Sequence, residues 1–332
     1  MTGAAAMPAA VIGAGHLGTF HARLYAKQSP AQLVAVVDIV PERAEALARE
    51  TGAEAHTTLD SVLARVGAVT VATPTTTHHD IVLRCLEAGC HVLVEKPIAS
   101  TGEEAQRMVR AARERGLVLA VGHTERFNPA FRMAETLVGT PRFIEAHRLA
   151  SFVPRSLDID VVLDLMIHDL DLATALMPAG VERVEASGVG VITPREDIAN
   201  ARLTFAGGAV ANLTASRISR EKMRKIRIFG DGQYLSVDLA ERTLQRAWLA
   251  DEAPSLPERI RWESQTPEAG NPLRDEICDF LEAAAAGRPP RVPGEIGAMV
   301  LELALDVRGK VRESLAHAAP ELARRGLTPP PV

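Results

Sequence analysis

The chain of 332 residues is 47% hydrophobic and 24% charged, which is typical of a globular protein of about two domains and excludes disorder over most of its length. Its 37 basic and 42 acidic residues give a net charge of −5, which offers no basic surface for nucleic acid or an anionic membrane. Cys85, Cys90 and Cys278 are too few for a disulfide framework or a four-thiolate zinc site, and no apolar run reaches the about 18 residues of a membrane-spanning helix. We therefore expect a cytoplasmic protein that binds neither nucleic acid nor membranes, and we predict no metal site.

Short apolar segments alternate with amphipathic helical patterns through the first 124 residues. The pattern predicts strands at 9–15, 33–37, 69–72, 91–94 and 117–121, and helices at 17–28, 41–51, 81–88 and 103–115. This alternation is typical of a parallel, doubly wound sheet. We therefore predict an N-terminal α/β domain over residues 1–124.

Longer strand-like runs dominate the second half of the chain. The pattern predicts strands at 142–151, 181–192, 198–206, 209–217 and 224–238, helices at 161–177, 272–286 and 293–317, and a surface loop at 251–272. The glycines at 207–208 and 230–232 indicate hairpin turns. We therefore predict an α+β domain over residues 125–332 with a mostly antiparallel, open sheet.

A glycine-rich turn follows the first predicted strand. The run Gly13-Ala14-Gly15-His16-Leu17-Gly18 fits G-x-G-x-x-G, opens a helix, and has an acid 20 residues after its last glycine. In that context the pattern indicates dinucleotide binding, because the glycines let the backbone approach a pyrophosphate at a helix N-terminus.

The acid of this pattern is Asp38, at the end of the second predicted strand. A carboxylate there suits the ribose hydroxyls of NAD and repels the extra phosphate of NADP. Arg43, one helical turn further on, leaves NADP binding open. The alternative is a turn required only for packing and an acid that only caps a helix.

Lysine is scarce in this chain, and one of its five lysines, Lys96, lies in Glu95-Lys96-Pro97 at the end of a predicted strand. Ligands of open α/β sheets bind at the carboxyl ends of the strands. A cation at this position can stabilise a developing alkoxide or donate to a substrate hydroxyl. The alternative is a surface ion pair between Glu95 and Lys96.

An acid and a histidine lie four residues apart on the helix predicted at 161–177. Asp164 and His168 therefore share one face of that helix, and Asp171 continues the face. A carboxylate beside an imidazole orients a general base that works near neutral pH. The alternatives are a polar helix face with a core histidine, and a divalent metal site formed by these three residues.

Together, these segments resemble the Gfo/Idh/MocA family of nicotinamide-dependent oxidoreductases over nearly the whole chain. The matching segments, in order, are VIGAGHLGTFHA, VVD at 36–38, VATPTTTHHDIVLRCLEAG, HVLVEKPIA and VVLDLMIHDLDL. The resemblance implies an N-terminal Rossmann domain, NAD across its carboxyl edge, and a second domain whose open sheet mediates homodimers or homotetramers. It implies catalytic roles for Lys96, Asp164 and His168, and further cofactor contacts from Thr73, Pro74, His78, Glu95 and Lys96.

Two segments carry a narrower resemblance, to the dehydrogenases of bacterial lipid A and amino-sugar pathways that oxidise the 3-hydroxyl of UDP-N-acetylglucosamine. They are GHTERFNPA at 122–130 and DVVLDLMIHDLDL at 160–172. Arg126, Asn128 and Arg155 are the predicted substrate contacts beside the catalytic residues, since arginine suits a diphosphate. The basic stretch at 216–228 is either a further contact or a solvated edge strand.

The helix segment also departs from the family. Val161, Val162, Leu163 and Met166 stand in a region where the family often has glycines, so the helix packing near the substrate is expected to differ.

The resemblance predicts removal of a hydroxyl proton by His168, oriented by Asp164, while Lys96 stabilises the oxygen and NAD takes the hydride. The residues alone leave the roles of Lys96 and His168 exchangeable. Three other functions remain open: dehydrogenation of a free sugar or inositol, NAD sensing by a regulator without turnover, and hydrolysis by an NAD-dependent glycosidase.

Overall fold

The computed structural model describes residues 6–28, 30–152, 160–193, 195–250 and 255–324. The chain divides into two compact units. The first comprises Met1–Phe127 and Asn271–Leu301, and the second comprises Asn128–Gly270 and Glu302–Val332. The sequence places everything after residue 124 in one domain, whereas the structure groups residues 271–301 with the N-terminal part.

Strands and helices follow one another as regular elements through both units. The strands are β1 (Pro8–Ile12), β2 (Gln32–Val37), β3 (Glu54–His56), β4 (Ala68–Val71), β5 (His91–Glu95), β6 (Leu119–Gly122), β7 (Pro141–Leu149), β8 (Val181–Val189), β9 (Ile198–Phe205), β10 (Val210–Ser216), β11 (Met223–Gly230), β12 (Gln233–Asp238), β13 (Thr243–Leu249) and β14 (Ile260–Gln265). The α-helices are α1 (His16–Gln28), α2 (Pro41–Thr51), α3 (Asp60–Leu63), α4 (His78–Glu87), α5 (Gly102–Glu114), α6 (Pro129–Leu137), α7 (Ile167–Leu176), α8 (Leu256–Arg259), α9 (Pro272–Ala286) and α10 (Gly294–Arg324).

The sheet of the first unit has six parallel strands in the order β3-β2-β1-β4-β5-β6. This order, reversing at β1 and β4, is that of a doubly wound Rossmann sheet. Because the strands are parallel, β1, β2, β4 and β5 all end at one edge, where the predicted cofactor residues follow them. The structure confirms the predicted α/β fold of the N-terminal part.

The C-terminal segment belongs to the first unit because its apolar side chains complete that unit's core. Ile277, Phe280 and Leu281 of α9 lie in one buried cluster with Tyr25 of α1 and Val11 of β1. Gly294 and Gly297, at the start of α10, lie so close to β6 that a Cβ atom at Gly297 would overlap with Val121. Residues 271–301 thus cover the sheet next to α1 and β6.

The sheet of the second unit has eight strands in the order β14-β13-β12-β11-β7-β10-β9-β8. All neighbours are antiparallel except β7 and β10. Helices α6 and α7 pack on one face, where Ile144, Ala146, Ile226 and Ile228 are buried. The predicted α+β part with a mostly antiparallel sheet is therefore confirmed.

Two details of the predicted second half were wrong, and one alternative left open there is excluded. The run at 224–238 is two strands, β11 and β12, joined at the predicted glycine turn. The loop predicted at 251–272 contains α8 and β14. The basic stretch at 216–228 is not an edge strand, because β11 pairs with β7 on one side and β12 on the other.

Candidate active site

The backbone of the glycine turn between β1 and α1 is shaped by contacts within the first unit. Gly13 has a φ of 97°, and a Cβ atom there would lie 2.5 Å from the carbonyl oxygen of Ala72. A Cβ atom at Gly18 would overlap with the carbonyl oxygen of Gly13. Only glycine fits at either position without a shift of the backbone.

Gly15 differs from these two glycines, because a Cβ atom there would have no other part of the protein within 4 Å. The protein does not itself require glycine at this point, so the open space is available to a ligand. His16 and Leu17, the first residues of α1, are exposed beside it. A helix N-terminus with an open glycine in front of it fits the pyrophosphate of a dinucleotide.

Asp38 follows β2 and connects its end to the glycine turn. Its carboxylate accepts hydrogen bonds from the backbone N–H groups of Ala14 at 2.7 Å and Val40 at 2.9 Å. It therefore holds both the turn and the start of α2, besides its predicted contact with ribose. Ile39 follows it with 89% of its surface exposed. The exposed apolar side chain of Ile39, next to the predicted ribose contact, was not predicted from the sequence.

Thr73 and Pro74 follow β4 at the same sheet edge. Thr73 and Pro97 present their carbonyl oxygens to the buried ring of His78, each at 2.9 Å from a ring nitrogen. Burial lowers the pKa of His78 and favours the neutral ring, which donates to one of these oxygens at a time. His78 thus ties the loop after β4 to the segment after Lys96.

Glu95 and Lys96 end β5, and their surroundings rule out a surface ion pair. Glu95 is only 6% exposed, and its carboxylate accepts a hydrogen bond from Nε2 of His21 at 2.8 Å. His21, on α1, is fully buried and was not among the predicted site residues. Lys96 is half-buried and precedes Pro97 through a cis peptide bond.

In the second unit, the predicted regular helix at 161–177 begins as a π-helix, Val162–Met166, and continues as α7. Asp160 caps it, accepting hydrogen bonds from the N–H groups of Val162 at 3.1 Å and Leu163 at 2.9 Å. Asp164 lies in the π-helical turn and His168 in α7, and both are half-buried. Single π-helical turns are frequent at functional sites.

The two neighbouring acids of α7 are buried instead. Asp169 receives two hydrogen bonds from the guanidinium group of Arg148 on β7, at 3.0 and 2.9 Å. Asp171 is 1% exposed. Asp169 therefore attaches the helix to the sheet through Arg148, whereas Asp164 and His168 are half-buried. Asp171, predicted to continue the face of Asp164 and His168, is buried.

The structure describes two of the three predicted substrate contacts that lie outside the proposed catalytic set. Arg126 lies in a short turn, Thr124–Phe127, is 9% exposed, and accepts a hydrogen bond at its carbonyl oxygen from Arg291. Asn128 is the N-cap of α6 and donates from its amide to the carbonyl oxygen of Leu239 at 2.9 Å. Arg155 lies outside the described residues.

The structure brings the glycine turn, Asp38, Thr73, Pro74 and Lys96 to one edge of the first sheet, and it places Asp164 and His168 on one helix of the second unit. Among the described residues, no group of three or more His, Cys, Asp or Glu side chains is arranged to hold a metal ion. The alternative of a metal at Asp164, His168 and Asp171 has no support in this geometry. None of the described helices combines the length and apolarity needed to cross a bilayer.

Comparison with known proteins agrees with this architecture. A UDP-N-acetylglucosamine 3-dehydrogenase of Acidithiobacillus ferrooxidans is 45% identical over 311 residues, which make up 93% of this chain and 98% of that protein. A solved structure of that enzyme superposes with a TM-score of 0.88, at 45% identity, covering 93% of this chain and 98% of the other. A myo-inositol 2-dehydrogenase of Thermotoga maritima is 28% identical over 91% of this chain and 96% of that protein.

Two family domains account for most of the chain. Residues 7–123 match the oxidoreductase family with an NAD-binding Rossmann fold, and residues 132–236 match the GFO/IDH/MocA C-terminal domain. These matches confirm the resemblance inferred from the motifs and the prediction of NAD as cofactor. The chain belongs to the Gfo/Idh/MocA family of NAD-binding oxidoreductases.

Proposed function

We propose that this protein is a cytoplasmic NAD-dependent dehydrogenase that oxidises the 3-hydroxyl of UDP-N-acetylglucosamine. The observation that carries the proposal is the 45% identity to the Acidithiobacillus ferrooxidans enzyme of that name, which extends over 93% of this chain. Because the similarity extends over nearly the whole of both proteins, it includes the unit that binds the cofactor and the second unit.

Three side chains are proposed to perform the reaction. His168 takes the proton of the substrate hydroxyl, and Asp164 orients its imidazole. Lys96 stabilises the oxygen as the carbon–oxygen bond becomes a carbonyl. Lys96 belongs to the first unit and the other two to the second, so their meeting at the substrate is part of the proposal.

The glycine turn, Asp38, Thr73 and Pro74 are proposed to hold NAD. When bound, NAD would be the oxidant, because it accepts a hydride from the carbon that bears the hydroxyl. The products are then a ketone, NADH and one proton. The open space at Gly15 and the N-terminus of α1 support this placement of the pyrophosphate.

Arg126 and Arg155 remain the proposed contacts for the substrate diphosphate. Their guanidinium groups have the geometry to bind two phosphate oxygens at once. Asn128 remains a proposed contact, although its amide already serves the start of α6 and Leu239.

The test is NADH formation, followed by its near-ultraviolet absorbance, with NAD and a panel of substrates. The panel contains UDP-N-acetylglucosamine, UDP-N-acetylgalactosamine, free N-acetylglucosamine and myo-inositol, with a carbonyl-trapping reagent to draw off the ketone. We expect the highest kcat/KM with UDP-N-acetylglucosamine. A higher value with myo-inositol would contradict the proposal and favour the second candidate, a cyclitol dehydrogenase, which the Thermotoga maritima relative supports.

Two further outcomes of this assay would also contradict the proposal. NADH binding without NADH formation from any sugar would indicate a regulator. Release of free sugar from a glycoside without net NADH would indicate a glycosidase that retains its cofactor.

We also propose a homodimer or homotetramer formed through the second sheet. Its face opposite α6 and α7 carries an aromatic row in which Phe143, Phe229 and Tyr234 are cross-strand neighbours. Trp262 follows Tyr234 in this row beyond Ala247 of β13. Successive ring centroids lie 5.7, 5.0 and 6.3 Å apart. Trp262 is 68% exposed and Phe229 is 37% exposed. Such an aromatic surface suits a second copy of the same chain across a two-fold axis.

Sedimentation velocity tests the oligomer. Phe229→Asp places a charge in the middle of the row and should reduce the sedimentation coefficient to that of a smaller species. Ile39→Asp also replaces an exposed apolar side chain by a charged one, but in the first unit, and should leave the sedimentation coefficient unchanged. A monomeric unmodified protein at micromolar concentration would refute this part of the proposal.

A further inference from the structure

Glu95, the residue before Lys96, forms a buried hydrogen-bonded pair with His21. Nε2 of His21 donates to Oε1 of Glu95 at 2.8 Å, and the two side chains are 0% and 8% exposed. Burying a carboxylate is unfavourable unless it has hydrogen-bonding partners. The pair joins α1, the helix that starts at the glycine turn, to the end of β5.

The carboxylate of Glu95 is confined from other directions as well. Its Oε2 atom accepts a hydrogen bond from the backbone N–H of Lys96 at 3.3 Å. Across the sheet, a Cβ atom at Gly122 would lie 2.9 Å from the same oxygen. The glycine of β6 thus leaves room for the carboxylate and limits its movement.

Glu95 carries a negative charge in this environment. Burial opposes its ionisation, but the hydrogen bond from His21 and the charges of His21 and Lys96 outweigh burial and lower the pKa of Glu95. The carboxylate is therefore ionised near neutral pH. His78 also interacts with it electrostatically.

Both neighbours of Lys96 in the chain are thus held by buried histidines. His21 holds the carboxylate of Glu95, and His78 faces the carbonyl oxygen of Pro97 at 2.9 Å. The backbone of Lys96 is fixed at each end, while its own side chain remains half-buried.

We propose that Glu95, held in place by His21, is a positioning residue for Lys96: its carboxylate attracts the ammonium group and keeps it cationic and directed along the sheet edge. This rests on the proposed function, in which Lys96 contacts the substrate oxygen. A lysine kept as an ammonium group stabilises that oxygen and leaves the role of base to His168.

The first experiment observes Lys96 without any substrate. Reductive methylation with isotope-labelled formaldehyde gives each lysine a methyl NMR signal, and the chain has five lysines, so the Lys96 signal is assigned by its loss in Lys96→Arg. We expect this signal to shift in Glu95→Gln and in His21→Leu. It should stay in place in Tyr25→Phe, a change on the same helix as His21. This variant removes the buried hydrogen bond between Tyr25 and Thr70 of β4, 3.0 Å long, and leaves Glu95 untouched.

The second experiment measures turnover per molecule that binds NADH. Glu95→Gln should lower kcat about 10- to 100-fold, the loss expected for a small displacement of a catalytic group, with KM for the sugar changed less than about threefold. His21→Gln places an amide N–H near the position of Nε2 and should recover most of the turnover lost in His21→Leu. A purely structural role would instead lower the fraction of molecules that bind NADH and leave kcat per binding molecule unchanged.

The outcomes separate this inference from the proposed function. An unmoved Lys96 signal in Glu95→Gln would overturn the positioning role, whatever the substrate is. A shifted signal in a protein that oxidises none of the sugars would leave the positioning role standing and reject the proposed function. If His21→Leu does not fold, Glu95→Gln and His21→Gln alone decide the question.

Discussion

The glycine turn of the first unit and the helix of Asp164 and His168 in the second are shaped by different forces. The turn requires glycine because its backbone lies against other backbone, at Gly18 against Gly13 and at Gly13 against Ala72. The helix is held by a charge pair between side chains, Arg148 and Asp169. A backbone that leaves no room for a Cβ atom restricts a position to glycine and so leaves a recognisable motif in a single sequence, whereas a charge pair between two side chains leaves none.

The variants with the largest expected effect test whether side chains of the two units act in one reaction. Lys96→Met in the first unit and His168→Ala in the second should each lower kcat by about 10²- to 10⁴-fold, because each removes a group that is proposed to assist at the substrate oxygen. NADH affinity, measured by fluorescence titration, should persist in both. Lys27→Met, at an exposed lysine of α1, is the control. Near-normal turnover in both variants would contradict the proposal that Lys96 and His168 act in one reaction.

The next effect concerns the attachment of the helix that carries Asp164 and His168. Arg148→Met leaves the buried carboxylate of Asp169 without its bidentate partner and should lower the free energy of unfolding by about 3–5 kcal/mol. The double variant Arg148→Met with Asp169→Leu should regain much of the lost stability, because neither charge of the buried pair then remains. Arg183→Met, in the exposed pair of Arg183 and Glu185, should change stability little. Urea unfolding followed by circular dichroism measures all three variants, and equal losses in the two single arginine variants would contradict the argument.

Two alanine substitutions sharpen the comparison within the turn itself. Gly18→Ala forces the backbone apart and should cost about 1–3 kcal/mol of stability. Gly15→Ala meets no protein atom and should stay within about 0.5 kcal/mol. It should nevertheless weaken NADH binding about 10-fold or more, by displacing a charge-assisted hydrogen bond. Calorimetric titration and thermal unfolding separate the two effects, and a Gly15→Ala protein with normal NADH affinity would show that the cofactor does not use this space.

The smallest expected effect lies in a loop of the second unit. Like the glycine turn, its backbone is held by the carboxylate of an aspartate. Asp197 accepts hydrogen bonds from the N–H groups of Val191, Ile192 and Thr193 at 2.7, 2.6 and 2.9 Å. Burial opposes its ionisation, but these bonds and that of the Thr193 hydroxyl lower the pKa of Asp197. A depressed folded-state pKa means that the stabilisation is present above the unfolded value of about 3.9 and is lost as the pH falls through the folded value.

Asp197→Asn should therefore cost about 1 kcal/mol at neutral pH, and the difference from the unmodified protein should shrink below about pH 4. Urea unfolding at neutral and acidic pH measures it. A difference that stays constant with pH would show that the charge of Asp197 is not what holds the loop.

Local signals explain why much of the first unit was predicted from the sequence. Helix α2 has the predicted bounds, Pro41–Thr51, because proline suits its first turn and Gly52, with a φ of 74°, ends it. The glycine motif and Lys96 were likewise found at the strand ends where they were expected, although β1 ends at Ile12 and not at the predicted residue 15. The edge strand β14 was not, because its exposed residues show no apolar alternation.

Buried polar partners explain most of what the sequence did not predict at the site. Glu95 and His21 are separated by 74 residues, and neither residue type indicates burial by itself. The π-helical turn around Asp164 was missed because an acid and a histidine four residues apart fit an α-helix equally well. Asn128, predicted as a substrate contact, also has a cap role that only the position of α6 reveals.

The return of residues 271–301 to the first unit has a consequence for how the protein matures. Phe280 and Leu281 complete the core around Tyr25, so the nucleotide-binding unit lacks part of its core until translation has passed residue 281. All six strands of its sheet precede α9 in the chain, so this core closes only after the intervening second unit has been synthesised.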